Sequence, residues 1–119
     1  ISTDGLFDSG KWTLNCGTCD VLRPVYEQLA ALPATAHLHI IGYSDSQPAS
    51  NPDNRELSRR RAEAVLEWLA AQGLNSGSMD AEGLGASHPV EKDTDGSGTF
   101  IPTAGAKNRR VEIKVTYPG

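Results

Sequence analysis

No run of this 119-residue chain is apolar for more than a few residues, so nothing in it can cross a membrane as a helix. Excess positive charge is missing too. Its 11 Lys and Arg against 15 Asp and Glu leave a formal charge of −4, and arginines cluster only at 59–61 and 109–110. A chain without a basic stripe is a poor partner for nucleic acid. Cysteine is scarce: Cys16 and Cys19 are the whole supply, too few for a structural zinc site without help. There is no phosphate loop, no nucleophile elbow and no Ser-His-Asp pattern, and nothing calls for a cofactor or metal. No internal repeat is visible. The chain starts at Ile1 with no basic–apolar–small leader, which leads us to expect a fragment of a larger or processed protein. Its length fits one domain, 1–119, able to bury a core without staples.

What is present alternates. STDGLFD reads as a short first strand and SGKWTLNCGTC as a loop. Asp20 can cap a helix running to about Leu32, with Leu22, Val25, Tyr26 and Leu29 at helical spacing and Pro24 in the first turn, where a missing N–H costs little. AHLHIIGY reads as a central strand at 36–43, and SDSQPASNPDN as a loop. A longer helix is expected over 54–72, ended by Gly73. SMDAEGLG is a short strand, 86–107 a long polar loop with room for one helical turn, and NRRVEIKVTY the last strand with Val111, Ile113 and Val115 inward. The expected fold is α/β (α+β), of order β-α-β-α-β-β: a mixed sheet with two main helices packed on one face.

Three arginines stand side by side in the long helix. At 100° per residue, Leu57, Ser58, Ala62, Val65, Leu66 and Leu69 form one stripe. Arg60 lies opposite and should be solvated, and Arg59 sits at the polar edge. Arg61, one turn after Leu57 and one before Val65, flanks the stripe, where an arginine either snorkels or takes an anionic partner. A structural salt bridge and a ligand contact both satisfy this. Asp45, just beyond strand 36–43, lies where ligands favour open α/β sheets, so an acid and an inward arginine could face each other across one cleft. If they serve a ligand, both stand in open, hydrated space, and truncating them should cost little stability.

The blocks IIGYSDSQPASNPDNRELSRRRAEAV, EGLGASHPV and NRRVEIKV, in that order, resemble the OmpA-like peptidoglycan-binding domain, the type found in OmpA, MotB and Pal. The likeness covers about residues 36–116, and GLFDSG at 5–10 is similar to the family's first strand. It implies a non-catalytic domain that grips the diaminopimelate of cell-wall peptide stems. Such a domain would be periplasmic and part of an outer- or inner-membrane-attached protein of a Gram-negative envelope. Asp45 matches the acid that accepts from the ligand ammonium, and Arg61 the helix arginine that pairs with the ligand carboxylate. Asn54 matches the asparagine that opens the helix; Leu57 and Ser58 match its Leu-Ser. Ser44 stands for the family threonine and Tyr43 for its histidine. Asn108 and Arg109 match the start of the last-strand block, with Arg109 a further contact in or behind the site. Asp8 lies where the first strand often adds another. The chemistry suits a zwitterion, which needs one anion and one planar, bidentate cation.

Other motifs allow other readings. Cys16 and Cys19 have C-x-x-C spacing. In an oxidising compartment they would form a local disulfide; free thiols, metal binding or a periplasmic thiol–disulfide activity remain open. A third reading is an adaptor with a degenerate wall site. DTDGSG at 93–98 has Asp93, Asp95 and Ser97 at alternating positions, but Ala104 stands where a calcium loop needs glutamate, so a polar turn is expected. His37 and His39 read as core-edge residues, and no motif places a Ser or Cys partner on His88.

Overall fold

The long helix forms where its caps dictate. The computed structural model describes residues 1–8, 10–15, 20–47 and 53–117; the cysteine readings and residues 48–52 of the loop fall outside these. Helix α2, Asn54–Gln72, opens on Asp53, whose carboxylate accepts from the Glu56 amide at 2.8 Å, and closes on Gly73 at φ 123°, a conformation that favours glycine. Its buried residues are Leu57, Ser58, Arg61, Ala62, Val65 and Leu69. Leu66 is half-buried at the stripe's edge, and Arg61 is inside it.

Strand β1, His37–Tyr43, is central. It pairs in parallel with β2, Met79–Gly85, and antiparallel with β3, Arg110–Thr116, giving the order β2-β1-β3. Leu38 and Ile40 face the helices with Met79 and Val111, and together with Leu6, Phe7, Leu22, Ala62, Val65 and Leu69 they make the core. Helix α1, Arg23–Ala30, adds Tyr26, whose hydroxyl donates to the Gln72 carbonyl at 3.0 Å and whose ring meets Trp68 edge-on. Gly42 and Gly83 are partners across β1 and β2. A Cβ on Gly42 would collide with the Ser58 carbonyl, and one on Gly83 with Arg55 and Arg59 backbone. These two glycines let the first turns of α2 lie directly on the sheet.

The mixed α+β class is as expected, and four details differ. STDGLFD is not a strand: Ser2 makes one bridge to Arg110, then Thr3–Gly5 turn as a 3-10 helix whose Asp4 amide is capped by the Ser2 hydroxyl. The sheet therefore has three strands. Helix α1 starts three residues after Asp20, at a Leu22 cap position with no side-chain bond, and ends two residues before Leu32. The polar loop holds a seven-residue helix α3, Pro102–Asn108. Its Pro and Gly read as loop residues, yet Pro102 sits in the first turn, where proline is tolerated, and Gly105 leaves room for the Phe100 ring. On β3 only Val111 is buried; Ile113 is half-buried and Val115 is exposed at the mouth of a groove between α1 and β3.

The sheet's other face carries polar side chains. His37 and His39 are half-exposed there rather than at a core edge. His37 Nε2 lies 2.7 Å from one Asp80 oxygen, His39 Nδ1 contacts the other, and His39 Nε2 lies 2.7 Å from Glu82. Tyr43 is on the same face, under the Arg110 guanidinium at 3.9 Å and edge-on to His88. No helix among the described residues is long and apolar enough to cross a membrane.

Candidate functional site

A cleft of about 540 Å³ opens where β1 ends. Chain order explains its walls. Ser44 and Asp45 leave the C-terminal end of β1, the first two turns of α2 supply Asn54, Leu57 and Arg61, Arg109 enters β3 alongside, and the N-terminal segment folds over with Asp4, Phe7 and Asp8. Seven of the residues singled out in the sequence line this one cleft: Asp8, Ser44, Asp45, Asn54, Leu57, Arg61 and Arg109. Asp4, Phe7 and Gln47 line it too and were not foreseen.

Asp45 is held on both oxygens. Oδ1 accepts from the Gln47 amide at 3.0 Å, and Oδ2 accepts from Arg109 Nη1 at 2.5 Å. Its side chain keeps 12% of its surface open. The loop behind it is fastened by Asn54 Nδ2, which donates to the Gln47 carbonyl at 2.9 Å, and by the Ser44 hydroxyl, which donates to the Asp45 carbonyl at 3.0 Å. Asp93, in the turn after β2, accepts the Ser46 amide at 2.8 Å. Burial opposes that carboxylate's charge, but the Ser46 hydrogen bonds prevail and hold it below the usual carboxylate range. DTDGSG is thus a polar turn, with Asp95 accepting from the Ser97 and Thr99 amides, and its first residue braces the cleft.

Arg109 bridges two acids, giving Nε and Nη2 to Asp4 at 2.7 and 2.9 Å and Nη1 to Asp45. The hydrogen bonds to Asp4, stronger than the opposing burial, raise its pKa, and the same bonds lower that of Asp4. Asp45, expected to face Arg61 across the cleft, thus takes its ion pair from Arg109.

Arg61 is bound differently. It is 5% exposed, donates Nε to the Lys11 carbonyl at 2.7 Å and Nη2 to the Asp8 carbonyl at 3.2 Å, and lies over the Phe7 ring at 5.2 Å. Among the described residues no carboxylate comes within ion-pair distance of it. Burial lowers its pKa, and the charges of Asp4 and Asp45 offset this in part. The open, hydrated arginine expected from the sequence is instead a buried one that clasps the N-terminal segment. Its neighbours are also busier than expected. Arg59 bridges Glu56 and Glu63, while Arg60, expected in water, bonds Glu56 at 3.0 Å and stacks 4.5 Å over Trp12.

The remaining residues singled out in the sequence are placed as follows. Asp8 contributes its backbone carbonyl to Arg61 as well as its place on the rim. Asn108 ends α3 and accepts the Val90 and Glu91 amides at 2.7 and 3.1 Å. Tyr43 faces away from the cleft, so the exchange of the family histidine does not alter its lining. His88 does have a serine neighbour, Ser87 Oγ at 2.7 Å from Nδ1, but that hydroxyl donates to the Leu84 carbonyl and so accepts from the ring. Among the described residues no group of His, Cys, Asp and Glu converges as a metal site.

The cleft thus presents acids already hydrogen-bonded by neutral and cationic donors beside a buried cation whose hydrogen-bond partners among the described residues are carbonyls. Comparison with known proteins gives the arrangement a context. The model of the OmpA family matches residues 6–100. Outer membrane protein A of Klebsiella pneumoniae is 33% identical over 120 residues, covering 97% of this chain and 34% of the relative. Among solved structures, the cell wall anchor of the T6SS from Pseudomonas aeruginosa is similar at a TM-score of 0.81 with 27% identity, covering 100% of this chain and 79% of that one. The peptidoglycan-associated lipoprotein from Burkholderia pseudomallei is similar at 0.70 with 27% identity, covering 93% and 87%. The chain spans only a third to a half of the first curated relatives it matches.

Proposed function

The chain belongs to the OmpA family, and from that premise we propose that it is a non-catalytic wall-binding domain whose cleft takes the diaminopimelate of a peptidoglycan stem. The observation that carries this is Arg61: a buried guanidinium, without a carboxylate partner among the described residues, in the same cleft as Asp45. Leaving such a charge unmatched is costly, and an incoming carboxylate would repay that cost. The second half of a zwitterionic centre, its ammonium, would meet Asp45 and Asp4, both of which accept from Arg109. Leu57 and Phe7 give the ligand's methylene chain an apolar wall. In this reading Asn54, Ser44 and Asp93 hold the acid's loop in place, so the site is set before the ligand arrives.

The relatives described as a cell wall anchor and as a peptidoglycan-associated lipoprotein support the reading. It places the domain in the periplasm, as the wall-facing part of a membrane-attached envelope protein. The experiment is a calorimetric titration with the tripeptide L-Ala–D-Glu–meso-diaminopimelate. Saturable one-to-one binding is expected for the wild type, and a loss of more than about tenfold for Asp45→Ala, which removes a charged hydrogen bond. Wild-type protein that gives no saturable binding would refute the reading.

A further inference from the structure

A second depression, of about 580 Å³, is lined in part by the residues that follow Lys11, whose carbonyl Arg61 holds. Trp12, Leu14, Arg59, Arg60, Glu63 and Trp68 line it. The cleft makes no use of any of them. Trp12 is conspicuous: its residue surface is 38% exposed, while Arg60 stacks on the ring and fixes its orientation. We propose that this groove is a saccharide subsite, receiving the amino sugar to which the stem peptide is joined. The proposal rests on the reading of the cleft given above.

Charge argues for a neutral occupant. Arg59, Arg60, Glu63 and Glu67 line the groove from α2, and the two arginines are already paired with Glu56 and Glu63, so this wall carries no net charge for an ionic ligand to seek. They do offer planar donors and carboxylate acceptors beside an indole. A pyranose needs that combination. Its C–H face is weakly positive and lies well on the negative face of an aromatic ring, while its hydroxyl and acetamido groups take donors and acceptors at the rim.

Continuity argues for this sugar. The Lys11 carbonyl accepts from Arg61 on the cleft side, and the next residue, Trp12, stands in the groove. Arg60 and Arg61 are likewise neighbours on α2, one facing each depression. Consecutive residues thus border the two depressions. In a stem the diaminopimelate follows two residues and a lactyl link, a reach of roughly 10 Å when extended. A ligand seated in the cleft therefore brings its own sugar within range of the groove.

The test compares the tripeptide with the same tripeptide on its N-acetylglucosamine–N-acetylmuramic acid disaccharide, by calorimetry, and adds indole fluorescence with the peptide-free disaccharide. Wild type should bind the disaccharide form about fivefold more tightly than the tripeptide. Trp12→Ala should abolish that gain with the tripeptide affinity unchanged, and Trp12→Phe, which keeps a ring under Arg60, should retain part of it. The peptide-free disaccharide should shift wild-type indole emission and leave Trp12→Ala unaffected. Equal affinity for both forms in wild type, or a gain that survives Trp12→Ala, would overturn the subsite while leaving the cleft intact. A tripeptide that fails to bind while the disaccharide still perturbs Trp12 would overturn the cleft reading and uphold the groove. Silence in both assays would overturn both.

Discussion

In the proposed reading Arg61 has two tasks, and its geometry says which variant separates them. Two of its nitrogens are committed to the Lys11 and Asp8 carbonyls, so Arg61→Ala leaves two backbone acceptors without their donor. That should cost about 1–3 kcal/mol, read as a lower urea midpoint. Arg61→Lys keeps a charge but cannot span both carbonyls and a ligand carboxylate at once. It should hold more of the stability than alanine and still bind the tripeptide more than about tenfold more weakly. Arg61→Lys binding as well as wild type would remove the fork from the mechanism. Helical angles were enough to pick this residue from its two neighbours, because the stripe on α2 is regular. They carried no information on what covers it, since residues 8 and 11 meet the helix only through the tertiary fold. Asp4 was illegible for the same reason: its partner Arg109 is 105 positions away, and the Ser-Thr-Asp-Gly stretch reads as the start of a strand.

At the scale of elements, close contact between α2 and the sheet fixes where the cleft lies. Gly42 and Gly83 make that contact possible, and Gly42→Ala would drive a methyl group into the Ser58 carbonyl. The helix would have to lift, with a loss of about 1–3 kcal/mol or more in denaturant melts; an unchanged midpoint would mean the helix rides higher than described. The open face of the sheet gives a pH signature. The Asp80 hydrogen bond raises the His39 pKa above its ordinary 6.5 against a weaker effect of burial, with Glu82 adding to the rise. Stability from this group is complete below 6.5 and is lost as pH climbs through the raised value. Asp80 is lowered from 3.8, chiefly by His37 and then by His39 after the opposing burial, so its share is present above 3.8 and is lost as pH falls through the lowered value. The β1–β2 clasp is therefore strongest between about pH 4 and 6.5. Because both partners are substantially exposed, His39→Gln should cost no more than about 1 kcal/mol at pH 5 and less at pH 8. A larger loss at pH 8 than at pH 5 would contradict the pairing. The legible elements were those with local signals, α2 with its caps and β1 with its apolar run. The first strand and α3 were misread because one is pairing cut short by a turn and the other a helix made of residues that usually break one.

For the whole molecule, the cleft gathers residues from both ends of the chain and from the β1–α2 junction, so binding should require the intact domain rather than any peptide of it. One stem contacts a small area, and modest affinity per domain is consistent with anchoring. A polymer presents many stems, and several anchored domains gain by avidity. The central claim is that Arg61 waits for the extra side-chain carboxylate that a diaminopimelate stem carries and a lysine stem does not. The measurement is a calorimetric titration of the wild-type protein with two tripeptides that differ only in ending on meso-diaminopimelate or on lysine. The lysine stem lacks the extra carboxylate and should bind more than about tenfold more weakly, the worth of one charged hydrogen bond. Equal affinities would contradict the account.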